Sequence, residues 1–368
     1  MKQARWCSCG ALAASLFAMQ SSSAWAQSSV TLYGIVDAVI DISNQGKGTL
    51  VREMSGAPLG SRFGLKGSED LGGGYKSIFT LEDGFGVNNG AIQQGGLFWG
   101  RQAWLGISGP TGTLTFGRQY SPEFWAFAGN DPFELGLAGG LSDISRTLPN
   151  GSVTGLLNGY IATSRTSNSA VYMSPEIHGL TVRLMYGFGG VPGSMRDGST
   201  VSAGVYYTTA SFAFNGGYVR NVKTDGTGEY IAYTIGGTYT VGPARIYVNY
   251  ARDTDTTANT ATKAGPKVQY GLASVGLRYQ IRPDIQADAQ VEKIIDTSEG
   301  HSPSQNAYVE SLALIYSLSK RTTLYTSYGQ VQSKHAAAYS LGAALYFGGA
   351  ATPGSTGRTF QLGIRTLF

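Results

Sequence analysis

Cysteine is almost absent from this chain: Cys7 and Cys9 are the only two, and none follows them. The body of the protein therefore has no disulfide framework, no thiol nucleophile and no thiolate metal site. Histidine is nearly as scarce. His178, His301 and His335 are scattered, so neither a metal cluster nor a Ser–His pair on one scaffold is indicated. No GxxxxGK loop for phosphate is present. Charged residues make up only 14% of the chain and the formal net charge is +4, a balance that points to no polyanion and no nucleic-acid partner. Long apolar runs are missing too: after residue 26 none approaches the roughly 18 residues a helix needs to cross a bilayer. A mean hydropathy of -0.08 agrees that this is no bundle of membrane helices.

The N-terminus does carry an export address. Lys2 and Arg5 precede the apolar stretch Gly10 to Met19 and the small-x-small pattern Ala24-Trp25-Ala26. Residues 1–26 read as a cleaved signal peptide, with the mature chain starting at Gln27. Both cysteines lie inside it, and Cys9 lacks the small-residue context of a lipid-modified cysteine. Removing Lys2 and Arg5 takes the charge from +4 to +2.

From about residue 30 to Phe368 the sequence alternates in twos, apolar against small or polar, in stretches of about ten residues. Spanning strands are expected near 30–42, 60–69, 74–85, 100–109, 112–120, 164–174, 179–188, 201–209, 211–221, 229–241, 244–252, 268–281, 285–295, 306–318, 322–332 and 358–368. In 179–188, Leu180, Val182, Leu184, Tyr186 and Phe188 oppose Thr181, Arg183, Met185 and Gly187. In 229–241, Ile231, Tyr233, Ile235 and Tyr239 oppose Ala232, Thr234, Gly236 and Thr238. In the last strand Phe360, Leu362, Ile364 and Phe368 oppose Gln361, Gly363 and Arg365. The first set in each case is assigned to lipid. Hydrocarbon satisfies no backbone amide, so such a sheet has to close on itself. The expected fold is an all-β transmembrane antiparallel barrel of sixteen strands.

Tight turns at 109–112, 209–211, 241–243, 282–284 and 319–321 alternate with long loops at 43–59, 86–99, 121–163, 253–267 and 333–357. Short turns face the periplasm and long loops the outside. A seventeenth alternating stretch, 337–347, is rejected on parity and assigned to the last outer loop. At sixteen strands the interior is too wide for wall side chains to fill, and water is expected there. Tyrosines at strand ends, such as Tyr186, Tyr207, Tyr250 and Tyr328, fit interfacial girdles.

Several stretches resemble one family. Ser28 to Asp37 (SSVTLYGIVD), Ser61 to Gly73 (SRFGLKGSEDLGG) with Leu81-Glu82-Asp83-Gly84-Phe85, Arg101 to Tyr120 (RQAWLGISGPTGTLTFGRQY), Arg165 to Pro175 (RTSNSAVYMSP), Tyr186 to Gly190 and the terminal Phe368 are similar to the general trimeric porins of beta-proteobacterial outer membranes, of the neisserial and burkholderial type. The resemblance spans the mature chain, 27–368. It implies a homotrimer of sixteen-stranded channels in outer-membrane lipid and lipopolysaccharide, with the third outer loop, 121–163, folded inward to narrow each pore. It also implies that Phe368 is the signal read by the outer-membrane assembly machinery.

The family's constriction carries arginines on the wall and acidic residues opposite. By matching motif the arginines are Arg62, Arg101 and Arg165, and the acidic side is Glu82 with Asp131. Alternation adds Lys66 and Arg183 to the lumen, and the long loop contributes Glu123, Glu134 and Asp143. Opposed charges across a narrow wet passage would rank solutes by charge and dipole. Arg101 shares parity with the lipid-assigned Ala103, Leu105 and Ile107, so a bulge or strand end near Gly100 is needed to turn it inward. Arg118 raises the same difficulty. The bland reading of each strand arginine is a solvated or structural side chain, and of each loop carboxylate an exposed one.

The function expected is passive diffusion of ions and small hydrophilic solutes, without catalytic residues or cofactors, and with an anion preference. The alternatives are a substrate-specific channel, which would need aromatics along the lumen, and a barrel serving mainly as adhesin or surface receptor.

Overall fold

Sixteen antiparallel strands close into one barrel. They are Ser29–Asn44, Arg62–Gly72, Tyr75–Gly84, Gln102–Gly109, Gly112–Tyr120, Arg165–Met173, Leu180–Gly187, Thr200–Thr208, Phe212–Val222, Glu229–Val241, Ala244–Asp255, Val268–Arg282, Ile285–Asp296, Ala307–Ser317, Thr322–Ser333 and Thr356–Leu367. The computed structural model describes residues 29–157, 164–301, 303–343 and 346–368. The proposed signal peptide, 1–26, lies outside the described residues, as does the end of the third loop, 158–163.

Closure follows from the first strand, which takes a partner on each side. Ile35 to Asn44 pair with Leu367 to Arg358 of the last strand, while Ser29 to Ile35 pair with Ser68 to Arg62 of the second. No edge of the sheet is left to lipid, which is the condition for a β-structure to sit in hydrocarbon. The terminal residue extends the seam: Phe368 N–H donates to Gly34 O at 3.1 Å and Gly34 N–H to Phe368 O at 3.0 Å.

The dyad pattern is realised with its sign reversed relative to a soluble sandwich. Tyr233, Ile235 and Tyr239 are exposed on the outer face, whereas Ala232, Thr234 and Thr238 are buried inside. Leu362 and Ile364 are likewise exposed, and Gln361 beside them is fully buried. The short turns rely on local chemistry. Between the second and third strands, Gly72, Gly73 and Gly74 all take positive φ (82°, 63° and 81°), a run of left-handed residues that side chains would strain.

Two loops differ from the sequence reading. The first outer loop, read as 43–59, contains the strand Thr49–Ser55, which pairs with the first strand from Ala38↔Ser55 to Asn44↔Thr49. The first strand runs beyond its second neighbour, and the loop satisfies the edge that would otherwise be bare. In the last outer loop, Tyr339–Leu341 is the one strand among the described residues of the alternating stretch 337–347. It pairs with Ile144–Thr147 of the third loop, which also pairs with Val153–Gly155, giving a three-stranded sheet made entirely of loop. The reason is apolar burial: Ala337, Ala338, Tyr339 and Leu341 are buried, and all but Ala338 share a cluster with Ile144 and Leu156.

That cluster corrects the expectation of a wholly water-filled interior. Phe127, Leu141, Ile144, Leu156 and Leu157 of the third loop pack on inward apolar wall positions, among them Val219, Ala232, Leu272, Ile294, Val309 and Val331. One side of the barrel interior is therefore filled by an apolar core.

Candidate functional site

The third loop begins with a capped helix. Ser121 is extended, and its side chain accepts from Phe124 N–H at 3.2 Å; Pro122 follows at the first helical position, where its missing N–H costs nothing. The helix Pro122–Ala128 packs on Thr200–Thr208 and Phe212–Val222 and ends at Gly129. From there the loop crosses successive strands on their lumen side. Asn130 accepts from Asn215 Nδ2 and donates to Asn249 Oδ1, Arg278 donates to Pro132 O, and Ala138 N–H is shared by Gln361 Oε1 (2.9 Å) and Ser327 Oγ (3.1 Å).

Glycines in the wall make room for this crossing. A Cβ at Gly217 would stand 2.8 Å from Glu123 Cα, at Gly276 2.6 Å from Pro132 Cγ, and at Gly329 2.8 Å from Ala138 O. These positions form a groove in which the loop's backbone lies. Asp131 organises the turn it begins, accepting from the N–H groups of Phe133 and Leu135 (2.9 Å each) and Leu141 (3.0 Å). Burial nevertheless pushes its carboxyl up to about 6, against those three donors. Asp143, also buried, is pushed well above the usual carboxylate range by burial, with Glu292 and Asp131 adding to the shift.

Between loop and wall lies a cavity of about 890 Å³. One side of it is an arginine cluster. Arg101 stands one residue before the strand Gln102–Gly109, so the strand end frees it from the parity of Ala103, and its side chain turns inward. Its Nε donates to Glu82 Oε1 at 2.8 Å and its Nη2 to the Tyr120 hydroxyl at 2.7 Å. Arg165 donates to the same hydroxyl at 2.7 Å and lies 4.5 Å over the Tyr120 ring. Arg62, held by Gly60 O at 3.0 Å, completes the group. Tyr33 donates to the other Glu82 oxygen at 3.0 Å.

Arg245 and Arg278 line the cavity from the opposite side of the barrel, and Arg365 from the last strand. Arg278 pairs with Asp288 at 3.2 Å and Arg365 with Glu134 at 2.5 Å, whereas Arg245 donates to Thr238 Oγ1 at 2.9 Å. Six arginines and three carboxylates, Asp131, Glu134 and Asp143, line the space. Among the described residues, Arg62, Arg165 and Arg245 have no carboxylate partner.

The sequence-derived candidates thus divide. Arg62, Arg101, Arg165, Asp131 and Glu134 border the cavity. Glu82 stands on the arginine side, behind Arg101, and not opposite it. Lys66 is exposed below the cavity over the Tyr33 ring, at 5.4 Å. Arg183 lies over Tyr206 at 5.0 Å and near Trp125 at 5.9 Å, beside the helix. Glu123 is fully buried in the helix's first turn. Arg118 stays outside the cavity, donating to Gly100 O and Ser167 Oγ, at a bulge marked by Gly117 (φ 134°). Tyr120, Arg245, Arg278 and Arg365 were not placed in the site from sequence, although Arg365 was assigned to the inner face. The signal for two of them was available: Arg278 sits between outward Leu277 and Tyr279, and Arg365 follows outward Ile364, the parity that turns Arg183 inward. His301 is bound to Asp296 at 2.7 Å, and among the described residues no three of His, Cys, Asp and Glu converge.

A family model described as Gram-negative porin matches residues 11–336. An outer membrane porin protein of Bordetella pertussis is 30% identical, the match covering 66% of this chain and 69% of that one. Outer membrane porin protein 32 of Delftia acidovorans is 27% identical over 95% of this chain and 96% of its own. Among solved structures, the anion-selective porin from Comamonas acidovorans superposes with a TM-score of 0.76 at 21% identity, covering 93% of this chain and all of that one.

Proposed function

Because this chain belongs to the Gram-negative porin family, we propose that its outer-membrane channel is a passive pore that favours anions, with the arginine-lined cavity as its narrowest part. The observation that carries the reading is the imbalance of free charge. Glu82, Asp288 and Glu134 each neutralise one arginine, Asp131 is committed to three backbone N–H groups and Asp143 accepts from Gly139 N–H, while Arg62, Arg165 and Arg245 line the cavity with no carboxylate partner among the described residues. Fixed cations in a narrow aqueous passage raise the local concentration of anions and lower that of cations. The charge pattern differs from arginines facing carboxylates: here arginines stand on both sides. The Comamonas acidovorans porin, whose barrel this chain shares, is anion-selective, which accords with the reading.

The same reading extends to assembly. Residues 1–26 are removed on export, three such barrels associate in outer-membrane lipid and lipopolysaccharide, and Phe368, paired to Gly34 at the closing seam, is the residue the assembly machinery reads. Residues 121–163 act as the constriction loop. The test is the zero-current potential of the purified protein in planar bilayers under a salt gradient. An anion-selective potential with conductance steps in groups of three supports the reading; a cation-selective or null potential refutes the charge assignment.

A further inference from the structure

On the side of the barrel away from the arginine cluster, the loop meets the wall through Gly139, which reaches the strands Ile285–Asp296 and Ala307–Ser317. It comes so close that a Cβ there would stand 1.7 Å from Ser311 Oγ. Its N–H donates to Asp143 Oδ2 at 2.9 Å, and its carbonyl accepts from Gln290 Nε2 at 3.3 Å; the same side-chain amide donates to Glu292 Oε1. Around this one residue three oxygens have no partner among the described residues: Asp143 Oδ1, Glu292 Oε2 and Ser311 Oγ. Their residues are 2%, 3% and 4% exposed. Neither carboxylate is in an ion pair among the described residues.

Two buried carboxyl groups without a cation between them are costly in either state: charged, each loses several kcal/mol of hydration, and neutral, each has had to take up a proton to avoid that loss. Hydroxyl, carbonyl and carboxylate oxygens, with no nitrogen or sulfur, are the donor set of a hard divalent cation and not of zinc or copper. The Gly139 carbonyl stands beside them as a further neutral donor. We propose that a divalent cation of the Ca²⁺ class binds at this seam, held by Asp143 Oδ1, Glu292 Oε2 and Ser311 Oγ, and fastens the third loop to the barrel wall. The fastening reaches one element further, because the Asp143 carbonyl accepts Gly342 N–H of the last outer loop at 3.0 Å. Asp143 also borders the arginine-lined cavity, so the site lies at the edge of that space, and its test needs no transport.

The full mature chain, refolded in detergent free of lipopolysaccharide and stripped with EDTA, is titrated calorimetrically with CaCl₂ at pH 7.5 and melted with and without the metal. One saturable site per chain is expected. Glu292→Gln should weaken it by about tenfold or more, as a charged ligand is lost; Ser311→Ala should weaken it a few-fold. Melting order supplies a control that misfolding cannot imitate. In EDTA the Glu292→Gln protein should melt higher than the parent, having one buried ionisable carboxyl group fewer, and in CaCl₂ the order should invert. Absence of saturable binding, affinity that Glu292→Gln leaves unchanged, or the same melting order in both buffers overturns the proposal; the second outcome means an adventitious ion only.

Discussion

Arg245 is the cleanest probe of the channel's field, because its guanidinium lines the cavity while its one hydrogen-bond acceptor, Thr238, is neutral. Arg245→Gln removes a single unpaired charge. For an ion passing about 5 Å away, that charge is worth about 0.8 kcal/mol at the dielectric of bulk water. Screening at 0.1 M salt, with a Debye length of about 10 Å, reduces it to about 0.5 kcal/mol. The local anion concentration then falls about twofold and that of cations rises by the same factor, so the anion-to-cation permeability ratio should drop about fivefold. At 1 M, with a Debye length of about 3 Å, the drop should shrink to less than twofold. The control is Arg278→Gln combined with Asp288→Asn, which removes a 3.2 Å pair and no net charge. Reversal potentials in a salt gradient read both. If the neutral pair deletion shifts the potential as much as Arg245→Gln, or if the effect of Arg245→Gln is independent of salt, the electrostatic argument fails and the potential is set by pore shape.

Gly329→Val places methyl groups where Leu341 Cδ1 and Ala138 O lie 2.7 and 2.8 Å from the Cβ position, and should lift the loop from its groove, raising single-channel conductance and the rate at which sugars swell proteoliposomes; unchanged rates would mean the loop is not what narrows the passage. Arg101→Gln leaves Glu82 buried without its cation and should cost about 3–5 kcal/mol in denaturant unfolding, most of it recovered when Glu82→Gln is added; a single variant as stable as the parent would show that water reaches the carboxylate. Asp131 should impose a pH dependence of unusual sign. Its folded value of about 6 lies above the unfolded one, so the folded state binds the extra proton between the two. The parent's stability relative to Asp131→Asn should therefore rise as pH falls through about 6, levelling near 4, and a difference flat in pH would refute this.

The barrel was legible because lipid and lumen impose a period of two on every strand, and each of the sixteen spans found in the structure lies within a few residues of one read from that alternation. Arg183 and Arg365 were placed on the inner face by parity alone. What parity could not give was partnership. Arg101 breaks the rule because its strand starts one residue later, a fact decided by the backbone bond to Glu82 O and not by side-chain type. Glu82 follows the motif yet lies beside the arginines, because a buried guanidinium draws the nearest carboxylate to it. The wall glycines looked like generic barrel residues; their alignment under the third loop depends on strand register, which spacing does not reveal. The inward turn of the last loop was hidden for a related reason: residues 337–347 alternate like a strand, but their partner, Ile144–Thr147, lies far upstream in the chain.

That distant pairing sets an order of construction. Ile144–Thr147 leaves the translocation machinery long before Tyr339–Leu341 does, so the small internal sheet cannot form until nearly the whole polypeptide has been delivered. An unfinished barrel would hold its mid-chain segment loosely, and the narrow passage would take shape only as the seam closes. The tail end of the chain therefore has two tasks: it shuts the wall, and it latches the third loop in its final place.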